Sequence, residues 1–175
     1  MVACALLAGA AGVFAQTAEA NPPAELNAAL PEARRSGATR LKMWGFDIYD
    51  ASLWVTPGFR ADRWAQRPLA LELRYLRNFD GEDIARRSLD EIRRAGPVSE
   101  TQAVQWMREM RGAFPNVKKG DRLLGVYEPD TGVRFFHNGT ATTPIADPQF
   151  AQRFFAIWLG AQTSEPAMRE ALLGK

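Results

Sequence analysis

Apolar and polar positions alternate most clearly around residues 39–55. Leu41 and Met43 alternate with Arg40 and Lys42, Gly45 permits a bulge or bend, and Phe46 and Ile48 resume the alternation until Thr56-Pro57-Gly58 ends it. The spacing predicts strand, bend, strand. Pro68 to Arg77 gives the cleanest strand: Leu69, Leu71, Leu73 and Tyr75 share one face, and Glu72 and Arg74 share the other. One face is expected to be buried and the other wet. The period then changes. Asp80 offers an N-cap, Glu82 and Asp83 suit the positive end of a helix, and Ile84, Leu89 and Ile92 form an apolar stripe up to Gly96-Pro97. Ser99 and Gln102 form a capping-box pair opening a second helix, with Val104 and Met107, and Met110 or Trp106, expected to face inward.

The last third returns to strands. Segments Arg122 to Tyr127, Val133 to His137 and Thr140 to Ile145 are separated by turn residues, including an Asn138-Gly139 hairpin pair. Asp147-Pro148 then opens a helix whose Phe150, Phe154, Ile157 and Trp158 make a broad apolar face, and Ser164 is read as the cap of a short final helix, Glu165 to Leu173. Residues 21–37, interrupted by Pro22, Pro23 and Pro31, are expected to be mostly irregular. This order predicts an α+β fold with an antiparallel sheet covered on one face by helices.

Composition changes this picture at two points. The 175 residues fit one domain, and residues 1–20 are an apolar run followed by small residues, which predicts an export signal removed after Ala15 or Ala20. The expected arrangement is a signal peptide at 1–20 and a single domain at 21–175. That run is too short to span a bilayer, so the mature chain is expected to have no integral membrane span and to reside in a bacterial periplasm. Cys4 is the only cysteine and would leave with the leader. The remaining chain has 22 basic against 19 acidic side chains, interspersed, so no nucleic-acid partner is expected.

With one histidine and no mature cysteine, His-based metal clusters, thiolate zinc sites, Ser-His-Asp triads and Cys-His dyads are all excluded. No Walker loop or GxGxxG is present, and neither a metal nor a cofactor is expected. His137, just before the hairpin turn, reads as an exposed strand-end residue. Asp47 and Asp50, three apart, fall on opposite faces of a regular strand unless a bulge intervenes. The candidate site is Arg40 with Tyr49: a guanidinium and a phenol that could face one another across the sheet. Arg40 is either the partner of a ligand anion or an ordinary surface arginine. Tyr49, Trp54 and Tyr75 carry polar atoms that would line a pocket if they lie on the helix-covered face.

At these residues the sequence resembles the chalcone isomerase-like family, in its exported bacterial branch. The matching pieces run in order: Arg40-Leu41 through Gly45-Phe46-Asp47-Ile48-Tyr49-Asp50-Ala51-Ser52-Leu53-Trp54, Pro68 to Tyr75, Gly81-Glu82-Asp83-Ile84-Ala85, Phe114 to Arg122, Phe135 to Gly139 and Phe154 to Gly160. The resemblance implies an open-faced β-sandwich with a ligand cleft between sheet and helices. In the plant enzymes it implies a strand arginine, a strand hydroxyl residue, a tyrosine, an asparagine and a late-helix threonine that act on a chalcone. In related plastid members the arginine and a tyrosine hold a fatty-acid carboxylate. Carried over, Arg40 falls within a residue of the arginine and Tyr49 on the strand hydroxyl. The tyrosine position lands near Asp80, the asparagine near Arg87, and the threonine on Ile157. These departures imply a non-catalytic protein that binds a small apolar or carboxylate-bearing ligand such as a fatty acid through Arg40, Tyr49, Arg87 and Ile157. The alternatives are an intramolecular lyase acting on a flavonoid-like substrate, and a structural or partner-binding envelope protein with a solidly packed helix–sheet interface and an exposed Arg40.

Overall fold

A computed structural model describes residues 22–175, so the leader expected at 1–20 lies outside the described residues. Six strands form one antiparallel meander in chain order: β1 (Arg34–Met43), β2 (Phe46–Val55), β3 (Leu69–Tyr75), β4 (Arg122–Glu128), β5 (Gly132–His137) and β6 (Thr140–Ala141). Helices α2 (Gly81–Ala95), α3 (Glu100–Ala113), α4 (Pro148–Leu159) and α5 (Pro166–Leu172) lie on one face, and a short α1 (Ala24–Ala29) lies on the other. This is the expected α+β, open-faced arrangement.

Two adjustments concern the N-terminal half. Residues 21–37 are not mostly irregular. Leu26, Leu30 and Ala33 from α1 and the residues after it pack on Trp54, Ala70, Leu124 and Val126, so the outer face of the sheet is dry in its middle. A six-residue helix has little intrinsic stability; this one is held by that packing and by an ion pair between Glu25 and Arg122. The bend at Gly45 is also sharper than the alternation implied. Trp44 and Gly45 both take positive φ (49° and 82°), the geometry of a two-residue hairpin turn, so β1 and β2 fold back on each other.

Most C-terminal elements follow their local signals, but Ser164 does not cap the final helix: the N-cap of α5 is Glu165, without a side-chain capping hydrogen bond. Asn138 and Gly139, at φ 49° and 89°, make the hairpin turn between β5 and β6. The Ser99–Gln102 capping box is formed in both directions. Asp147 caps α4 through the Phe150 N–H at 2.9 Å. α3 is rotated from the expected face: Trp106 and Met110 are buried, whereas Val104 is 70% exposed. In this rotation the Trp106 indole donates to Asp147 Oδ2 at 2.8 Å, which gives the buried N–H its partner. β6 is shorter than expected, and Ile145 instead makes an isolated bridge with Val133.

Helix placement decides where the interior is full. α4 rests on β4 and β5, and α5 rests on β1, where Gly37 has no side chain to collide with the Ala171 and Leu172 carbonyls. α2 makes its main contacts with α3 and α4, not with a strand. It is propped above the β1–β3 side of the sheet.

Candidate functional site

Beneath α2 this stand-off leaves a cavity of about 870 Å³, within the size range of small-ligand sites. Its floor is the helix-facing side of the sheet, including Leu41, Ile48, Tyr49, Leu71, Leu73, Tyr75 and Leu123. Ile84, Arg87, Ser88 and Glu91 of α2 form one wall, and Ile157 and Trp158 of α4 another. The end under α4 is closed by rings: Phe154 has ring centroids 5.5 Å from Phe135, 5.3 Å from Trp158 and 5.8 Å from Phe114. The helix–sheet interface is therefore hollow on one side.

Two of the polar groups that border this chamber are phenols on its floor. The Trp158 indole donates to the Tyr49 hydroxyl at 2.9 Å, so the Tyr49 proton is left free to donate elsewhere. Burial pushes the Tyr49 phenol up to about 12, against a smaller downward pull from the Trp158 hydrogen bond, so it is neutral at physiological pH. Tyr75 packs edge-to-face on Tyr49 with centroids 5.9 Å apart. Burial raises the Tyr75 phenol as well, and among the described residues its hydroxyl has no hydrogen-bond partner. Two neutral O–H donors thus face one chamber.

At the α2 wall the buried Glu91 sits between Arg87 at 2.6 Å and Arg94 at 2.8 Å. Burial drives its carboxyl pKa up, but hydrogen bonds from Arg94 and Ser164 and the two guanidinium charges outweigh it, and the net direction is down. Glu91 stays ionised and fixes Arg87 at the cavity wall. Arg87, 61% exposed, and the buried Tyr49 phenol both border the cavity.

Of the sequence-derived candidates, Tyr49, Arg87 and Ile157 all border this cavity. Arg40 does not join them. An extra residue in β2, Ile48, shifts the register between Leu41↔Tyr49 and Lys42↔Asp47, and Arg40 pairs with Asp50 on the opposite face from Tyr49. There its guanidinium holds Asp50 at 2.6 Å and Asp47 at 2.9 Å. The same bulge brings the two aspartates, expected on opposite faces, to one face. Trp54 also lies on the outer face, under α1, with its indole N–H unpartnered. His137 is half-buried, 3.2 Å from Asp121, instead of exposed. The cavity residues missed from sequence are Glu91, Trp158 as a partner for Tyr49, and Arg77 at the rim. The Arg87-x-x-x-Glu91-x-x-Arg94 spacing was the available signal for the first.

Among the described residues no three His, Cys, Asp or Glu side chains converge to hold a metal, and no helix is long and apolar enough to cross a membrane. The chemistry on offer is hydrogen-bond donation by two phenols within a largely apolar chamber whose border also carries Arg77, Arg86 and Arg87 and the acids Asp83, Asp90, Glu91 and Glu165.

Comparison with known proteins agrees with this architecture. The chain is 29% identical over 133 residues to an uncharacterized protein of Haemophilus influenzae, covering 75% of this chain and 64% of that one, so it spans somewhat less than two thirds of the relative's length. Among solved structures, a fatty-acid binding protein of Arabidopsis thaliana superposes with a TM-score of 0.62 at 9% identity, over 82% of this chain and 88% of its own, which establishes a shared fold. The family profile described as chalcone isomerase-like matches residues 34–174, from the first residue of β1 to the end of the helical layer, and the chain belongs to the chalcone isomerase-like family.

Proposed function

We propose that this is an exported, non-catalytic binding protein of the periplasm, its leader removed from a single domain, that holds a small apolar ligand with a carboxylate head, such as a fatty acid. The supporting observation is the hollow chamber itself: a close-packed interior leaves few voids larger than a water molecule, and this one is far larger, with largely apolar walls and phenolic and charged groups at its border. The likeness of fold to a fatty-acid binding protein points the same way. The ligand tail lies along Leu71, Leu73 and Ile84. Its carboxylate accepts from the Tyr49 hydroxyl and meets Arg87, the cation that Glu91 holds at the wall, while Ile157 packs beside it. A carboxylate buried without a cation would be costly, so Arg87 takes the role that the family resemblance assigns to Arg40. The non-catalytic reading rests on what surrounds the phenols: Ile157 offers no proton, and Arg40 faces away from the chamber.

Titration with a dansyl-labelled fatty acid tests this. Saturable binding to one site is expected, with Arg87→Gln and Tyr49→Phe each weakening it by about tenfold, the usual cost of a charge-assisted hydrogen bond. Ile84→Trp, which places an indole in the chamber, abolishes it. An absence of saturable probe binding overturns the binding reading, and turnover of a chalcone above its spontaneous cyclisation overturns the non-catalytic one.

A further inference from the structure

At the edge of the chamber the molecule exposes apolar surface of an unusual kind. Trp44, at the tip of the β1–β2 turn, is 90% exposed, and Phe46 beside it is 55% exposed. Both border the cavity. A turn tip asks only for residues that tolerate positive φ, and an indole at such a position gains nothing for the fold by being there. Arg77 lies over the Phe46 ring at 4.6 Å, so the aromatic patch carries a cation on its flank.

The charges that border the cavity are of both signs, Arg77, Arg86 and Arg87 beside Asp83, Asp90, Glu91 and Glu165, and the unpaired basic residues are those after β3 and before β4. Lys118 and Lys119 stand in the loop that precedes β4, tied to the end of β3 by the Lys119 N–H donating to Asn78 and the Gly120 N–H donating to the Tyr75 carbonyl. Among the described residues, Arg77, Lys118 and Lys119 have no carboxylate within ion-pairing distance. Of the nearby acids, Asp47 is held by Arg40 and Lys42, and Asp83 by Arg86. Asp80 and Asp90 are exposed and, among the described residues, have no ion-pair partner. Exposed Trp and Phe flanked by unpaired Arg and Lys match the interfacial zone of an anionic bilayer, where indoles sit at headgroup level and basic side chains meet lipid phosphates.

We propose that the β1–β2 hairpin tip docks on an anionic lipid surface and presents the mouth of the cavity to it, so that an apolar ligand passes between bilayer and chamber without crossing water. The ligand-transfer part rests on the binding reading above; the docking surface stands on its own residues. Nothing covalent is involved, and the contact is peripheral, since one hairpin tip buries too little apolar area for irreversible insertion.

The test uses the full chain with vesicles of equal parts phosphatidylglycerol and phosphatidylcholine, and with vesicles of phosphatidylcholine alone. Co-sedimentation with the anionic vesicles, reversed by salt, is expected, together with Trp44 quenching by brominated acyl chains. Trp44→Ser/Phe46→Ser removes both signals. Arg77→Gln/Lys118→Gln/Lys119→Gln lowers vesicle partitioning by about a hundredfold, at the usual contribution of each basic residue near an anionic surface. All these side chains are exposed, so thermal unfolding should match the parent chain and report that the variants fold. Absence of binding to anionic vesicles, or binding undiminished in Trp44→Ser/Phe46→Ser, overturns the proposal. A dimer that forms through the same residues without lipid binding also overturns it. A parent chain that binds the vesicles but not the dansyl fatty acid refutes the chamber's role and leaves the docking surface standing; one that binds the fatty acid but not the vesicles refutes only the docking surface.

Discussion

The two sides of the helix–sheet interface are built from similar residues and end in opposite states. Under α4 the aromatic side chains meet one another: Phe150 stacks on Phe154 at 5.5 Å and meets Trp106 at 5.8 Å, and Phe155 meets Tyr127 at 5.2 Å. Under α2 the walls are as apolar but do not meet. The difference lies in support. α4 rests on the strands it covers, whereas α2 is carried by α3 and α4 and held at its start by Asn116, which accepts the Gly81 N–H at 2.8 Å. A helix anchored to other helices does not need to collapse onto the sheet, and the void beneath it is therefore a stable feature of the fold.

The strongest way to break this comparison is to truncate a side chain on each side. Phe150 is completely buried and lies outside the cavity lining, so Phe150→Ala should cost about 3–5 kcal/mol, the range for a large aromatic removed from a packed core. Leu73 is also buried but already borders empty space. Leu73→Ala should cost about 2 kcal/mol or less, because fewer contacts are lost and no new isolated cavity is formed. Denaturant unfolding of both variants measures the contrast. Equal losses would mean that the chamber wall is as well packed as the aromatic side.

Alkaline pH sharpens the comparison next, because the hollow side contains two buried phenols facing its cavity and the packed side one, Tyr127, which burial also raises. The Tyr49 phenol is raised from 10.0 to about 12 in the fold, and Tyr75 is raised too. Such a group keeps its proton in the folded state after the unfolded chain has released it. Its stabilising contribution is full below about pH 10 and falls as pH rises toward 12. Stability should therefore decline through that window, and Tyr75→Phe should flatten the decline while leaving stability at neutral pH unchanged or improved, since its hydroxyl has no partner to lose. Trp158→Phe differs: it removes the indole that Tyr49 accepts from and should cost about 1 kcal/mol at neutral pH. Thermal unfolding across the alkaline range reads both effects.

The legible parts of this molecule were those fixed by local chemistry. Asn138-Gly139, the Ser99–Gln102 box and Asp147-Pro148 each settle a turn or a helix start within a few residues, and the period-two run of β3 named its buried face correctly. Where the sequence misled, a distant partner or a single-residue shift decided the outcome. Val104, expected inward, is exposed, and the inward position goes to Trp106, whose N–H is accepted by Asp147, forty-one positions later. Residues 24–29 became a helix because the outer face of the sheet offered Trp54 and Leu124 to cover. Of the site, Tyr49 and Ile157 were reachable from periodicity together with the family pattern, and Arg87, exposed at the cavity border, from the family pattern alone. A cleft between sheet and helices was implied by the family resemblance alone; its size and walls consist of missing atoms, set by how α2 is propped, and no run of residues encodes that distance.

Arg40 is the finest test of that lesson, because its role turns on one bulged residue. In a regular ladder a one-residue slip moves a side chain from the buried face to the solvent face. The extra residue at Ile48 does this to Asp47 relative to Asp50, and it leaves Arg40 with both carboxylates on the outer face. The guanidinium is 44% exposed and its partners nearly as much, so the triad is a surface network worth less than about 1 kcal/mol despite its good geometry. Arg40→Ala should accordingly shift stability by no more than that amount and leave affinity for the dansyl fatty acid within about twofold of the parent. Arg87→Gln in the same titration supplies the contrast. A large loss of affinity in Arg40→Ala, with Arg87→Gln unaffected, would mean that β1 and β2 re-register when ligand binds, bringing the family arginine into the chamber after all.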